Sequence, residues 1–300
     1  MSHAGHGHAE ECDPHEHAEH VETLIARSGR ALDTPVYTAA QIRAVRRDLR
    51  QTLREKRSAP RSQARGGLVF RIPVHVNVLS GAHQGETGPR KPAVLRQLEI
   101  LNAGFFGSQS RANRKTPFRF YLRSFKRVKN DAWYHASMDD RANTRMRRAL
   151  HRGGPQALNL YISAPEATGQ GAVLGFSSVP WQADRFRKLD GVTIHRGTME
   201  GGDRAGYNLG DTAIHEVGHW MGLFHTFEGG CSQPGDLIND TPAEREPSFA
   251  CELGRDTCPG RKGRDPVRNF MDYSFDSCMN QFTPDQVARM GRNWFAYRAP

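Results

Sequence analysis

Apolar residues recur along this 300-residue chain with two periods, which together predict strands that alternate with helices from residue 68 onward. Short apolar runs predict five strands, at 68–79, 118–125, 158–162, 174–180 and 191–195. Helical spacing at 92–106 and 141–152 predicts two helices between them. Because strands and helices interleave, we expect at least part of the sheet to be parallel. Pro73 indicates a strand end or a sheet edge.

Residues 1–65 differ in composition from the remainder of the chain. The first twenty contain six histidines and six acidic or cysteine residues. A helix is predicted at 38–57, with one apolar face formed by Ile42, Val45, Leu49 and Leu53. Proline, serine and glycine at 58–67 are typical of an exposed linker. We therefore predict a removable pro-segment at 1–65 that ends in a cleavable hinge, and a main domain at 66–300.

Beyond residue 225 the sequence becomes rich in glycine, proline, aspartate and cysteine, which predicts little regular structure. Four of the five cysteines lie here: Cys231, Cys251, Cys258 and Cys278. Their density favours two disulfides and an oxidising compartment. A second zinc site is the alternative, although no two of them form a C-x-x-C pair. A final helix is predicted from a capping box at 283–286.

The stretch 215–225 carries the most specific chemistry, in the pattern H-E-x-x-H-x-x-G-x-x-H. His215 and His219 are four residues apart, so both imidazoles project from one helix face. Gly222 permits the turn that returns His225 as a third ligand. Three protein ligands with one open position are typical of catalytic zinc. Glu216 would then deprotonate a zinc-bound water.

The alternative for this stretch is a helix whose histidines are ordinary, partly buried residues. That alternative does not explain a glycine within an apolar helix. We expect Asn208 or Asp211 to cap the helix, and Ala213, Val217 and Met221 to be buried.

The net charge of +10 raises nucleic acid or an anionic surface as a partner. Residues 111–129 hold eight basic residues and no acid, yet they overlap a predicted strand. No helix-turn-helix, zinc-finger or RNA-binding signature accompanies them, so we do not expect nucleic acid as the principal partner. The alternative that accounts for the charge is a solvated basic rim, or attraction of acidic substrates. No apolar run of 18 residues is present, which excludes membrane insertion, and no ordinary signal peptide is visible.

With the motif, the cysteines and the stretch 269–273 in view, the chain resembles the pappalysin family of metzincins, in its ulilysin-like branch. The resemblance continues through 229–231, 240–242 and 278–279, and it covers the chain from about residue 68 onward. It implies a twisted, mixed α/β sheet with a backing helix and an active-site helix. It also implies an upper subdomain at about 66–224 and an irregular, disulfide-bonded lower subdomain at about 225–300 that ends in a helix.

The family resemblance implies roles for residues of the lower subdomain. Met271 would form a methionine turn beneath the metal, and Tyr273 would stabilise the oxyanion. From the residues alone, Met271 is a core residue and Tyr273 is equally compatible with a structural role. Asp276 would lie under the pocket for the side chain after the scissile bond and select arginine or lysine there. Its alternative is a solvent-exposed loop aspartate.

The resemblance further implies the disulfides Cys231–Cys258 and Cys251–Cys278. It implies calcium in the loops after the third histidine, with ligands Asp236, Asp240 and Thr241. An Asp-Thr-Pro turn held by side-chain hydrogen bonds would need no metal, and this alternative stays open.

The lone Cys12 fits a latency device, because a thiolate can fill the open position of zinc. Its neighbours lack the arginine and glycine of the best-known cysteine switch, and a metal-scavenging or disordered histidine-rich tail is the alternative. Cleavage near Arg61 or Arg65 would release the pro-segment, and an enzyme that prefers arginine after the cut could process itself.

We therefore expect a secreted, monomeric zinc metalloendopeptidase, made as a latent precursor, that acts on proteins or peptides. Its expected cofactors are catalytic zinc and structural calcium. Substrate would pair in extended form with the sheet edge at 174–180. The alternative function is a basic, zinc-containing module that binds protein or nucleic acid without peptidase activity.

Overall fold

The computed structural model of the chain describes residues 37–58, 69–166, 173–232 and 234–299. Its strands are β1 Phe70–Ser80, β2 Phe118–Lys129, β3 Leu158–Ser163, β4 Gly175–Ser177 and β5 Val192–His195. Its α-helices are α1 Ala39–Ser58, α2 Lys91–Phe106, α3 Asp131–Tyr134, α4 Arg141–Leu150, α5 Thr212–Trp220 and α6 Pro284–Asn293. Short 3₁₀ turns occupy Pro180–Gln182, Arg187–Leu189 and Arg196–Thr198, and a π-helical turn, Trp294–Arg298, follows α6.

The strands form one mixed sheet in the order β2-β1-β3-β5-β4. The pairs β1–β2, β1–β3 and β3–β5 are parallel, whereas the short β4 runs antiparallel to β5 at the edge. The prediction of about five strands, parallel in part, is therefore confirmed. Since crossovers between parallel strands need long connections, the helices between β1, β2 and β3 follow from this topology.

The prediction that Pro73 marks a strand end or a sheet edge is wrong, because it lies inside β1, which has a neighbour on both sides. The pairing of β1 with β3 begins only at Val74, so at Pro73 the strand is flanked by β2 alone. A residue without an N–H is tolerated there because the second ladder has not yet started.

The structure extends β2 to Lys129, beyond the predicted end at 125. The additional residues are mostly basic, so this part of the strand has little apolar alternation to predict it. Charged residues are tolerated there because β2 is an edge strand with one hydrogen-bonded neighbour. The basic run 111–129 thus includes an edge strand, where charged side chains discourage pairing with other chains.

The main core lies between the sheet and helices α2 and α5. It buries alternate residues of β1 (Ile72, Val74, Val76 and Val78) with the inner face of α2 (Val94, Leu98, Leu101 and Phe105). The predicted residues of α5 are buried as expected, since Ala213, Val217 and Met221 each expose 1% or less of their surface. This packing fixes the helix that carries the first two histidines of the motif.

Helix α6 begins at the predicted capping box. The Thr283 hydroxyl accepts from the Gln286 N–H, and the Gln286 side chain accepts from the Thr283 N–H. Such a reciprocal cap satisfies two backbone donors that the helix start would otherwise leave unpaired.

The segment between α5 and α6 contains turns and isolated bridges in place of long strands and helices. Two disulfides join Cys231 to Cys258 and Cys251 to Cys278, the pairing that the family resemblance implied. Both span 27 positions and overlap, so they interlock two loops in a region with few regular hydrogen bonds.

Helix α1 packs on the main domain through the apolar face that the sequence predicted. Ile42 and Val45 are buried against Phe224, just after α5. The Tyr297 hydroxyl donates to Asp48 at 2.5 Å. The predicted boundary near residue 65 and the linker at 58–67 fall almost entirely outside the described residues. Among the described helices, none has the length and apolar character needed to cross a membrane.

Candidate active site

Three histidines converge at the C-terminal part of α5 and the turn that follows it. The Nε2 atom of His219 lies 3.1 Å from the Nε2 of His215 and 3.1 Å from that of His225. All three side chains are buried. Two nitrogens that each lie about 2.0 Å from one tetrahedral ion are roughly 3.3 Å apart, so this spacing fits zinc.

The second nitrogens of His215 and His219 each face a carbonyl acceptor. His215 Nδ1 donates to the Phe270 carbonyl at 2.6 Å, and His219 Nδ1 donates to the Leu223 carbonyl at 2.9 Å. These bonds place the proton on Nδ1, so each Nε2 lone pair points to the shared centre. Such outer contacts fix the tautomer of metal ligands. The donor set therefore fits a zinc ion.

Gly222 makes the turn that returns the third histidine. Its φ of 90° lies in the left-handed region, and a Cβ there would come within 2.5 Å of the Asn293 side chain. Both the backbone conformation and the close approach of α6 therefore require glycine. The expectation drawn from the motif spacing agrees with this geometry.

Met271 packs directly beneath the helix that bears the histidines. It is fully buried, and a Cβ on Gly218 would lie 2.4 Å from its sulfur. Gly218 therefore lets the methionine approach the α5 backbone between His215 and His219. Sequence reasoning found Met271 but missed Gly218, whose signal was a second glycine within the motif.

Glu216 lies on α5 next to the first histidine and is 1% exposed. A Cβ on Gly175, in the edge strand β4, would meet the Glu216 side chain at 2.8 Å. β4 therefore passes close to the candidate base, and only glycine leaves it room. Sequence reasoning also missed Gly175, because nothing in the strand pattern distinguishes it.

Tyr273 borders the histidine cluster from the irregular segment. Its hydroxyl lies 3.2 Å from His225 Nε2, and its ring packs edge-on against the His225 ring. The Tyr207 hydroxyl donates to the Tyr273 carbonyl at 3.0 Å, and Asp272 accepts from the Tyr273 N–H. The tyrosine is thus held with its hydroxyl beside the three histidines, which is where an oxyanion stabiliser would be needed.

The third histidine has a carboxylate neighbour that sequence reasoning missed. Glu228 is 1% exposed, and its Oε2 lies 3.6 Å from His225 Nδ1. Its Oε1 accepts from the Tyr37 backbone N–H, just before α1. The Tyr37 ring packs on Phe224 at 5.2 Å between centroids. The chain before α1 therefore contacts the group behind the third histidine.

Asp276 is buried beneath the loop that leads into α5. Its Oδ2 accepts from the backbone N–H groups of Leu209, Gly210 and Asp211. Burial raises the pKa of Asp276 to about 6, although these three hydrogen bonds oppose the shift. Its Oδ1 is buried without a hydrogen-bond partner among the described residues. The alternative of a solvent-exposed loop aspartate is excluded by this burial.

The N-cap of α5 differs from expectation. Asp211 occupies the cap position, but its side chain does not cap the helix and accepts from Gln109 at 3.2 Å. Asn208 is not the cap, and its amide donates to the Gly202 carbonyl. Burial, and then the charge of Asp276, raise the pKa of Asp211 to about 8.

The three residues expected to bind calcium divide into two places. Asp236 is buried, and its Oδ2 accepts from the Thr241 hydroxyl at 2.6 Å. Asp240 instead accepts from the Asp285 N–H at the start of α6. The structure thus brings Asp236 and Thr241 together in the hydrogen-bonded turn that was the alternative to a metal site. Cys12 lies outside the described residues.

A buried ion pair supports the far end of α5. The Arg298 guanidinium donates to both oxygens of Asp190, at 3.0 and 3.1 Å, and its Nε donates to the Trp220 carbonyl. Trp220 Nε1 donates to Asp190 in turn. Arg298 therefore fixes the C-terminal end of α5. The sequence alone did not predict this contact, because Asp190, Trp220 and Arg298 are far apart in the chain.

The chain is similar to proteins of known families. Residues 155–294 match the family described as pregnancy-associated plasma protein-A. An extracellular metalloprotease of Pyricularia oryzae is 40% identical over 232 residues, which span 76% of this chain and 76% of that protein.

Two solved structures of one protein have a similar fold. A mutant of Tannerella forsythia promirolysin superposes with a TM-score of 0.70 at 22% identity, over 88% of this chain and 94% of that one. Tannerella forsythia mature mirolysin in complex with a cleaved peptide gives 0.63 at 23% identity, over 80% and 100%. These similarities confirm the predicted metzincin fold with its five-stranded mixed sheet and helices.

Proposed function

Because this chain belongs to the pappalysin family, described as pregnancy-associated plasma protein-A, we propose that its three-histidine centre hydrolyses peptide bonds of proteins or peptides outside the cell. It is a zinc metalloendopeptidase. The observation that carries the residue assignment is the approach of three imidazole Nε2 atoms around His219 at 3.1 Å. Secretion is supported by the extracellular relative and by the two disulfides.

His215, His219 and His225 would hold the zinc ion, which when bound lowers the pKa of water and polarises a carbonyl. Glu216 accepts a proton from the attacking water and later delivers it to the leaving amine. The Tyr273 hydroxyl donates a hydrogen bond to the oxygen that becomes negatively charged. Met271 contributes packing under the histidines and takes no part in proton transfer.

The substrate would lie in extended form along β4, which has β5 on one side and is the last strand of the sheet. Gly175 supports this orientation, since β4 comes close to Glu216 there. An extended peptide adds backbone hydrogen bonds to such an edge, and the side-chain pockets then select sequence.

Asp276 would select arginine or lysine after the scissile bond. The support is its burial together with an Oδ1 that lacks a hydrogen-bond partner among the described residues. A guanidinium that reached this oxygen would form a charge-assisted hydrogen bond. The raised pKa of Asp276 agrees with a carboxylate that lacks a cation in the free enzyme.

We also propose that the chain is made latent, with 1–65 as the pro-segment. Support comes from α1, whose apolar face is buried on Phe224, and from the Tyr37 N–H, which donates to Glu228 behind His225. Promirolysin aligns with 88% of this chain and mature mirolysin with 80%. Cleavage near Arg61 or Arg65 by the enzyme itself, and a zinc contact of Cys12, belong to the same proposal.

A calcium ion near Asp236 and Thr241 remains part of the proposal, and their clustered oxygens are its support. To join Asp236 and Thr241 around an ion, the Asp240 carboxylate would have to give up its hydrogen bond with the Asp285 N–H at the start of α6. Calcium should then raise the unfolding temperature of the wild type and not that of Asp236→Ala. Equal shifts in both would remove calcium from this turn.

The function is tested with Glu216→Ala. The variant should retain one zinc at the centre and lose cleavage of a mixed peptide library by at least about 1,000-fold, since the general base is absent. The wild type should cut before arginine or lysine, and N-terminal sequencing after incubation should show a new start near residues 61–65. Peptide cleavage by Glu216→Ala at the wild-type rate would refute the assigned role of Glu216. No cleavage by the wild type, with or without a chelator, would favour the binding-module alternative.

A further inference from the structure

A second group of metal-binding side chains lies at the C-terminal ends of three parallel strands. Within the described ranges, ligand atoms of His83, Glu86 and Asp131 all lie within 4.8 Å of one another. His135 joins them, because its Nε2 is 3.0 Å from Glu86 Oε1 and 3.8 Å from Asp131 Oδ1. Glu86 and Asp131 therefore lie near both imidazoles, in a cluster that the peptidase mechanism does not use.

The topology explains why these residues meet. His83 and Glu86 follow β1, Asp131 and His135 follow β2, and the ends of β1 and β2 are paired at Ser80 and Lys129. Residues distant in sequence thus come together where parallel strands end together, which is a common location for binding sites.

The carboxylates are held in place before any ligand arrives. Glu86 Oε2 accepts from the His83 N–H at 2.8 Å, which leaves Oε1 directed to His135. Asp131 Oδ1 accepts from the Ala82 N–H at 2.8 Å. A Cβ on Gly81 would lie 2.1 Å from Glu86 Oε2, so the turn after β1 has glycine where the carboxylate folds back. Such preorganisation lowers the cost of binding an ion.

The second ring nitrogen of His135 supplies an independent observation. His135 Nδ1 lies 3.0 Å from Glu166 Oε1, just after β3. With the ring proton on Nδ1, the Nε2 lone pair faces Glu86 and Asp131, and a metal ion between them would turn this repulsion into ligation. Without a metal, a ring protonated on both nitrogens would pair with Glu86 and Glu166 instead. A carboxylate behind a metal-bound histidine is the usual outer contact of a zinc ligand.

From this geometry we propose that His83, Glu86, Asp131 and His135 bind a second divalent transition-metal ion, with zinc as its representative. Paired imidazoles favour zinc, nickel or copper over calcium or magnesium. Spacings of 3.0 and 3.8 Å bracket the roughly 3.3 Å between ligands of a tetrahedral zinc ion. The ion would join the segments that follow β1 and β2, and through the contact of His135 with Glu166 it would also link them to the residues just after β3.

The test measures zinc binding by the full chain after its catalytic centre has been loaded with one equivalent of zinc. Trp133, within α3, reports on this place, because nickel or cobalt bound nearby should quench its fluorescence. The first twenty residues contain six further histidines, which are potential ligands of such ions. Stoichiometry alone is therefore not diagnostic, and the variants are compared at equal metal concentration.

His83→Ala/His135→Ala should weaken binding of the second ion at least about tenfold. It should also abolish the metal quenching of Trp133, which is identified as the part of the fluorescence quenching that is missing in Trp133→Phe. The matched control, His6→Ala/His8→Ala, loses the same number of histidines and should keep both. Neither variant touches the peptidase centre, so peptide cleavage should persist in both.

Unchanged affinity and unchanged Trp133 quenching in His83→Ala/His135→Ala would overturn the proposal, as would loss of both in the control pair alone. Zinc should also raise the unfolding temperature of the wild type above that of the cluster variant. An equal shift in these two proteins would likewise count against the site. None of these outcomes depends on the proposed peptidase activity.

Discussion

The two regions that build the histidine centre are stabilised in different ways. The sheet and its helices, from β1 to α5, are held by regular ladders and supply most of the large apolar core, to which the later segment adds residues such as Phe270, Met271 and Phe282. The segment from His225 to α6 has turns, two disulfides and buried carboxylates such as Asp272 and Asp276. The first region supplies His215, Glu216 and His219, and the second supplies the remaining ligand and Tyr273. Catalysis therefore depends on the contact between a region stabilised by packing and one stabilised by crosslinks.

The largest expected effect comes from removing one crosslink. Cys251→Ala/Cys278→Ala frees a loop of 27 positions, for which chain entropy predicts a loss of about 3.5 kcal/mol in the free energy of unfolding. Hydrogen exchange should rise throughout 226–282, while β1 and β3 keep their protection. Denaturant unfolding gives the stability, and peptide cleavage should fall with it because Tyr273 and His225 lose their support. Uniform loss of protection in both regions would show that they do not differ as described.

The first region was largely predictable from sequence because its stability depends on periodic burial. The alternation of β1 and the spacing of α2 identify the elements, and the motif spacing identifies His215 and His219. Contacts between distant residues carry no such period. Glu228 behind His225, the Asp190–Arg298 pair and the fit of Gly218 on Met271 depend on how the chain returns to itself.

The irregular region was predictable mainly through family resemblance. The disulfide pairing came from the resemblance, since four cysteines alone allow three pairings. Resemblance also pointed to Asp276, but it did not predict that Asp276 Oδ2 accepts hydrogen bonds from three backbone N–H groups. The expected calcium ligands show the limit of resemblance, because the Asp240 carboxylate accepts from the first turn of α6, whereas Asp236 bonds to the Thr241 hydroxyl.

The second-largest expected effect is a loss of stability of the sheet region at acidic pH. Burial, followed by the charge of Arg204, lowers the pKa of His195 from 6.5 to about 4. Above pH 6.5 the residue is neutral in both states. Between 6.5 and 4 the unfolded chain binds a proton that the folded chain does not, so stability falls as the pH falls, by about 3 kcal/mol at most.

His195→Asn should flatten this part of the pH dependence. The asparagine oxygen can still accept from the Gly197 N–H, as His195 Nδ1 does at 2.9 Å, so the turn after β5 is retained. Urea unfolding of both proteins at several pH values between 4 and 7 gives the difference. Parallel curves would show that His195 is not the source of the acid sensitivity.

The smallest effect tests the contact between the regions directly. Gly218→Ala places a Cβ 2.4 Å from the Met271 sulfur, so either α5 or the methionine turn must shift. We expect a loss of about 1–3 kcal/mol in stability, as for other overpacked cores. Zinc affinity should fall by about ten- to a hundredfold, as it does when the outer contacts of a ligand are disturbed.

The matched control is Gly291→Ala on α6, where an added Cβ meets nothing within 4 Å. Alanine there should be neutral or stabilise the helix by up to about 1 kcal/mol. The measurements are zinc affinity by competition with a chelating dye and stability by denaturant. If Gly218→Ala behaves like Gly291→Ala in both, Met271 does not support the histidines, and the irregular region would contribute to the site only through His225, Tyr273 and Asp276.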